Sequence, residues 1–135
     1  MVLGLIVSGG KGLRMGTKMP KQFLPLDGTP ILIRTLQTFD DIDEIEQLIL
    51  VLPKEFMTYF ETLKYRGKKP LHLVEAGEER FASVKNGLLK AKELSEDSMV
   101  VIHDGVRPLV SRRMILEGIS SAKEHGAASA FVRPK

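Results

Sequence analysis

The apolar residues of this chain come in short unbroken blocks, not in strict alternation, and the blocks recur between longer segments with helical spacing. Val2 to Val7, Gln47 to Leu52, Leu71 to Val74, Met99 to His103 and Ala127 to Val132 read as five strands. Strands that are apolar on both sides need both sheet faces covered, which is the situation of a mostly parallel sheet between two helical layers. The intervening segments supply the helices. Glu55 to Tyr65 follows Pro53 with helix-like spacing, and from Glu79 to Leu94 the residues Phe81, Val84, Leu88 and Ala91 recur every three or four positions. Ser111 is a candidate cap for a helix carrying Met114, Ile115, Ile119 and Ala122, with Gly126 as its stop. The expected architecture is a three-layer αβα, Rossmann-like sheet formed as one domain over residues 1–135.

In a doubly wound sheet of this kind, ligands bind beyond the carboxyl ends of the strands, so the loops after Val7, Val74 and His103 should converge on one cleft. The first of them is the most unusual. Gly9, Gly10 and Gly12 follow Ser8 directly, and a glycine-rich turn can aim backbone N–H groups at phosphate oxygens because no side chain keeps the ligand away. The spacing matches neither of two common phosphate loops: Lys11 precedes Gly12 instead of a Ser or Thr, and Gly10-Lys11-Gly12 is not followed by a glycine at the dinucleotide position. Lys11, Arg14, Lys18 and Lys21 add a cationic set to the same segment, although Lys11 and Lys18 are also what a solvated surface loop contains.

Composition removes several other classes. A net charge of +3 spread over 135 residues, with 6% aromatic residues, is no nucleic-acid stripe with stacking platforms. No apolar stretch is long enough to cross a bilayer, and no targeting segment is visible. The absence of cysteine removes disulfides, zinc–thiolate sites and thiol nucleophiles and fits a cytoplasmic protein. His103 ends a buried strand and reads as a packed histidine; His72 and His125 are isolated and receive no role.

Three segments carry a resemblance. Ser8-Gly9-Gly10-Lys11-Gly12-Leu13-Arg14-Met15-Gly16 with Met19-Pro20-Lys21-Gln22-Phe23-Leu24, then Ala76-Gly77-Glu78-Glu79-Arg80-Phe81-Ala82-Ser83-Val84, then Ile102-His103-Asp104-Gly105-Val106-Arg107-Pro108, together resemble the cytidylyltransferases that act on sugar-alcohol phosphates. The methylerythritol-phosphate branch is the nearer likeness and the ribitol-phosphate branch the second, separated by Arg80 to Val84 and Asn86-Gly87-Leu88. The resemblance implies that Ser8, Gly9, Gly10 and Gly12 lie along CTP and that Arg14 and Lys21 take the catalytic positions. It further implies that Gly77, Glu78 and Ser83 recognise cytosine, that Asp104 holds Mg²⁺ near the substrate, and that Arg107 anchors the acceptor phosphate. Three positions depart from the family pattern: Ser8-Gly9 stands for a usual Ala-Ala, Glu78 for a common Asp and Gly105 for a common Ala. Family members continue for many tens of residues, with an arm that reaches the partner subunit of a homodimer. The implied partners are therefore CTP and a sugar-alcohol phosphate, with no nucleic acid and no membrane, and a homodimer where that arm is present. A nucleotide-binding domain without turnover is the alternative from a different functional class.

Overall fold

The computed structural model describes residues 1–8, 25–26, 28–104, 112–124 and 129–131. Five strands form one sheet: β1 (Val2–Val7), β4 (Gln47–Leu52), β5 (Leu71–Glu75), β6 (Met99–Asp104) and β7 (Ser129–Phe131), in the order β5-β4-β1-β6-β7. Every pairing between them is parallel. A two-stranded antiparallel ribbon, β2 (Pro25–Leu26) and β3 (Thr29–Pro30), precedes the first helix. The helices are α1 (Ile31–Asp40), α2 (Lys54–Thr62), α3 (Arg80–Leu94) and α4 (Arg112–Glu124).

The unbroken apolar blocks are explained by where their two sides point. Val2, Ile6, Leu48, Leu50, Leu52 and Val101 face Leu32, Leu36 and Phe39 of α1, Phe60 of α2, and Ile115 and Ile119 of α4. The alternate residues Leu3, Leu5, Val7, Ile49, Val51, Val100 and Ile102 face Ala91 of α3, with Val84 and Leu94 packed at the margin. All six residues of β1 are buried, as expected of the central strand of a sheet covered on both sides. Helix α3 lies unusually close to the sheet. A Cβ at Gly87 would stand 2.5 Å from Leu5 Cδ1 and 3.1 Å from Val51 Cγ2, so only glycine admits the helix at this depth. Among the described residues α3 is the only helix on its face, and Phe81, Leu88 and Leu89 remain exposed along it. No described helix is long and apolar enough to cross a membrane.

The strands match the sequence expectation closely, with β5 and β6 each one residue longer than read. Three differences have physical causes. Ile31–Asp40 is a helix that the block pattern does not announce, because its β-branched start resembles a strand; Leu32, Leu36 and Phe39 nevertheless fall on one buried face. Helix α2 stops at Thr62 rather than Tyr65, where Lys64 takes a positive φ of 51° and turns the chain out of the helix. The last strand spans Ser129–Phe131, inside the longer run expected. Ser111 and Gly126, expected to bound α4, lie outside the described residues.

Candidate nucleotide-binding site

The sheet changes direction between β1 and β6. From β1 the chain steps outward through α1 to β4, whereas from β6 it steps the other way through α4 to β7, so the helical connections diverge and leave a crevice at the carboxyl ends of these two strands. The register brings specific residues there: Val7 pairs with Asp104, which sets Ser8 beside it. Ser8 is buried, and its backbone N–H extends the ladder by donating to Val51 O at 2.9 Å. Asp104, the last residue of β6, is half-buried.

Because successive strand side chains point to opposite faces, His103 and Asp104 part company. His103 turns into the α1 side, where it is buried and stands 5.6 Å from the Phe39 ring centroid. That is the packed histidine the sequence suggests.

The loop from β5 to α3 is tied down at several successive points. Ala76 N–H donates to Leu52 O at 2.8 Å, and Gly77 N–H donates to Ser83 Oγ at 3.1 Å. Asn86 Nδ2 donates to Glu75 O at 3.0 Å. Glu79 is in extended conformation at the start of α3, and its carbonyl accepts Ser83 N–H at 3.0 Å to begin the helical ladder. The bend also requires a glycine: a Cβ on Gly77 would lie 2.3 Å from Ala82 Cβ and 3.1 Å from the Ala82 carbonyl carbon. Glu78 is exposed at the tip.

Of the residues singled out from sequence, Ser8, Gly77, Glu78 and Asp104 belong to loops and strand ends on this one edge, and Ser83 to the first turn of α3 beside them. Ser83 is buried, and its hydroxyl oxygen is already used on Gly77 N–H. Its first task is therefore to hold the loop, while its proton remains a donor. Gly9, Gly10, Gly12, Arg14, Lys21 and Arg107 lie outside the described residues. Asn86 was not among the expected site residues; the signal that finds it is its position one helical turn after Ser83, on the same side of α3.

A cation here would depend on few protein ligands. Among the described residues no three His, Cys, Asp or Glu side chains come together as a metal cage. The single half-buried carboxylate of Asp104 nevertheless suits Mg²⁺, which characteristically takes one or two carboxylates and completes its octahedron with phosphate oxygens and water. The edge thus offers a hard anionic ligand at the crevice and, across β1 and β4, a fixed loop whose backbone acceptors can read a planar ring.

Known proteins share this fold and much of this sequence. The family model for 2-C-methyl-D-erythritol 4-phosphate cytidylyltransferase matches residues 2–134. The enzyme of that name from Clostridium botulinum (strain Eklund 17B / Type B) is 44% identical over 137 aligned positions, covering 100% of this chain and 60% of the relative. The one from Bacteroides fragilis is 51% identical over 113 positions, covering 82% and 50% respectively. The chain thus spans between half and three fifths of the length of these curated relatives. The crystal structure of 4-diphosphocytidyl-2C-methyl-D-erythritol synthase from Anaerococcus prevotii DSM 20548 superposes with a TM-score of 0.72 at 21% identity, over 91% of this chain and 51% of that one, a likeness of fold. With the family match running nearly end to end, and the expected parallel sheet bringing the described parts of the motifs to one edge, this chain belongs to the 2-C-methyl-D-erythritol 4-phosphate cytidylyltransferase family.

Proposed function

We propose that the carboxyl edge of the sheet binds CTP with Mg²⁺, and that the protein transfers the cytidylyl group to 2-C-methyl-D-erythritol 4-phosphate in the cytoplasm, as part of isoprenoid synthesis. The observation that supports this reading is the register of β1 against β6, in which Val7 pairs with Asp104, so that the chain leaves the sheet into the glycine-rich segment next to the strand end that carries Asp104. Family membership supports CTP and a sugar-alcohol phosphate as the substrates.

In this reaction an oxygen of the acceptor phosphate forms a bond to the α-phosphorus of CTP, the bond from that phosphorus to the bridging oxygen breaks, and pyrophosphate leaves. A phosphate monoester is already an oxyanion at neutral pH, so the chain need not provide a base to activate it. The barrier is the approach of an anion to a polyanion and the charge that grows on the leaving group, and fixed cations lower it. Lys21 takes the role of a compact charge at the α-phosphate, Arg14 holds the leaving phosphates, and Arg107 anchors the acceptor with its planar fork. Asp104 would hold Mg²⁺, which when bound neutralises phosphate charge and fixes the triphosphate geometry. The backbone of Gly9, Gly10 and Gly12 lies along the phosphates and ribose, and Gly77, Glu78 and Ser83 read the base.

The test is pyrophosphate release from CTP and Mg²⁺ with 2-C-methyl-D-erythritol 4-phosphate, run beside ribitol 5-phosphate. Release with the first and not the second supports the reading, and preference for ribitol 5-phosphate refutes the acceptor assignment. Saturable CTP binding with no pyrophosphate from either acceptor would instead establish nucleotide binding without turnover.

A further inference from the structure

We infer that Asn86 is a positioning residue for nucleobase selection, acting through the peptide unit between Glu75 and Ala76. The inference rests on the cytidine-nucleotide reading of this edge.

The argument begins with the edge strand. Strand β5 has a sheet neighbour, β4, on one side only. At its end, Ala76 N–H points inward and donates to Leu52 O at 2.8 Å. In a trans peptide the N–H and the preceding C=O point in opposite directions, and no peptide among the described residues is cis, so Glu75 C=O must point outward from the sheet edge. A carbonyl in that position would ordinarily turn to water and let the strand end fray. Here Asn86 reaches back from the second turn of α3 and donates to it at 3.0 Å.

The peptide unit is therefore held from both sides, by the neighbouring strand through its N–H and by α3 through its C=O. Ser83, three residues earlier and on the same side of the helix, then takes Gly77 N–H. Glu75 C=O, Ala76 N–H and Gly77 N–H are thereby committed in sequence, and the next backbone acceptors are the carbonyls of Ala76 and Gly77. Cytosine differs from uracil by an amino donor where uracil carries a carbonyl, so discrimination depends on how rigidly such acceptors are aimed. Asn86 fixes their aim through Glu75 C=O at the end of β5, which β4 separates from β1 and the glycine-rich segment that follows it.

Two variants remove the donor: Asn86→Ala, and Asn86→Leu, which keeps approximate side-chain volume. Each is compared with the unsubstituted protein in affinity for CTP, for UTP and for inorganic tripolyphosphate, with Mg²⁺ present, and in amide hydrogen exchange without ligand. The loss of one neutral hydrogen bond is expected to weaken CTP binding about fivefold in both variants and to narrow the preference for CTP over UTP by a similar factor. Tripolyphosphate affinity should stay within about 1.5-fold, because a local loop effect leaves the phosphate end as it was. Exchange at the Ala76 and Gly77 amides should accelerate about fivefold while that of β1 does not change. Unchanged exchange at these amides would overturn the inference whatever the nucleotide result. Equal losses for CTP, UTP and tripolyphosphate would also overturn it, since they would mean a general effect on folding. Failure of the unsubstituted protein to bind CTP would instead refute the reading of the edge itself, and the selectivity role would fall with it.

Discussion

The two edges of the sheet fasten their loops in different ways. At the amino edge, the carboxylate of Asp40 is buried at the end of α1 and accepts the backbone N–H groups of Lys68 and Lys69, each at 3.0 Å. At the carboxyl edge, the 75–77 bend is held by neutral groups, a serine hydroxyl and a half-buried asparagine amide. A carboxylate at a helix C-terminus is unfavourably placed in the helix dipole, so its retention there depends on those N–H donors. The exposed ion pair of Lys68 with Asp41 at 3.7 Å adds little, because both partners remain solvated. The contrast teaches that a buried charge closes the amino edge, while the carboxyl edge, where the proposed site lies, shapes its bend with neutral bonds.

If that division is right, substitutions should separate cleanly into those that change chemistry and those that change stability. The largest effect is expected from Lys21→Ala, which should lower pyrophosphate release by about 10²- to 10³-fold, equivalent to about 3–4 kcal/mol of barrier, with unfolding unchanged. Near-normal turnover at saturating substrates would remove Lys21 from the mechanism. Asp40→Ala should do the reverse: removing the acceptor of two part-buried N–H groups costs about 1–3 kcal/mol in denaturant unfolding, while CTP affinity is preserved. A parallel fall in affinity would break the separation of the edges. Gly77→Ala belongs between them, because its methyl group would overlap Ala82; it should weaken CTP binding about tenfold and cost about 1–2 kcal/mol of stability.

The smallest effect concerns Tyr65, whose phenol is pushed up to about 12 by burial first, then by the negative charges of Asp40 and Asp41. The buried hydroxyl has no hydrogen-bond partner among the described residues. A raised folded-state value means that the protonated phenol favours the native state; its contribution is complete below the unfolded value near 10 and is lost as pH rises through about 12. Tyr65→Phe should therefore leave stability at pH 8 within about 0.5 kcal/mol and flatten its decline between pH 10 and 12, as read by urea unfolding. A variant as alkali-sensitive as the parent would place the titrating group elsewhere.

Much of this fold is legible in the sequence because the information is carried by local blocks. Five strands and the helix from Arg80 follow from apolar runs and their interruption by Gly and Pro. What is not legible depends on tertiary contact. The segment Ile31-Leu-Ile-Arg-Thr-Leu has a strand-like composition and becomes helical because Leu32, Leu36 and Phe39 then meet the sheet together. Asp40 reads as a solvent-facing charge at a helix end, and only the return of the chain at Lys68 makes it a buried acceptor.

The site divides in the same way. Resemblance marks Ser8, Gly77, Ser83 and Asp104, and the β1–β6 register supplies the reason Ser8 and Asp104 are neighbours. That Ser83 first serves Gly77, and that Asn86 holds Glu75, depends on how the bend after β5 folds back against the start of α3, which no residue pattern encodes.

The claim underlying these points is that ligand chemistry is confined to the carboxyl edge, and an amide-resolved titration with CTP and Mg²⁺ tests it most directly. The account predicts saturable shifts at Ser8, Gly77 and Asp104, with Asp40, Lys68 and Lys69 unmoved. Shifts centred on the amino edge, or no saturable response to CTP at all, would contradict it.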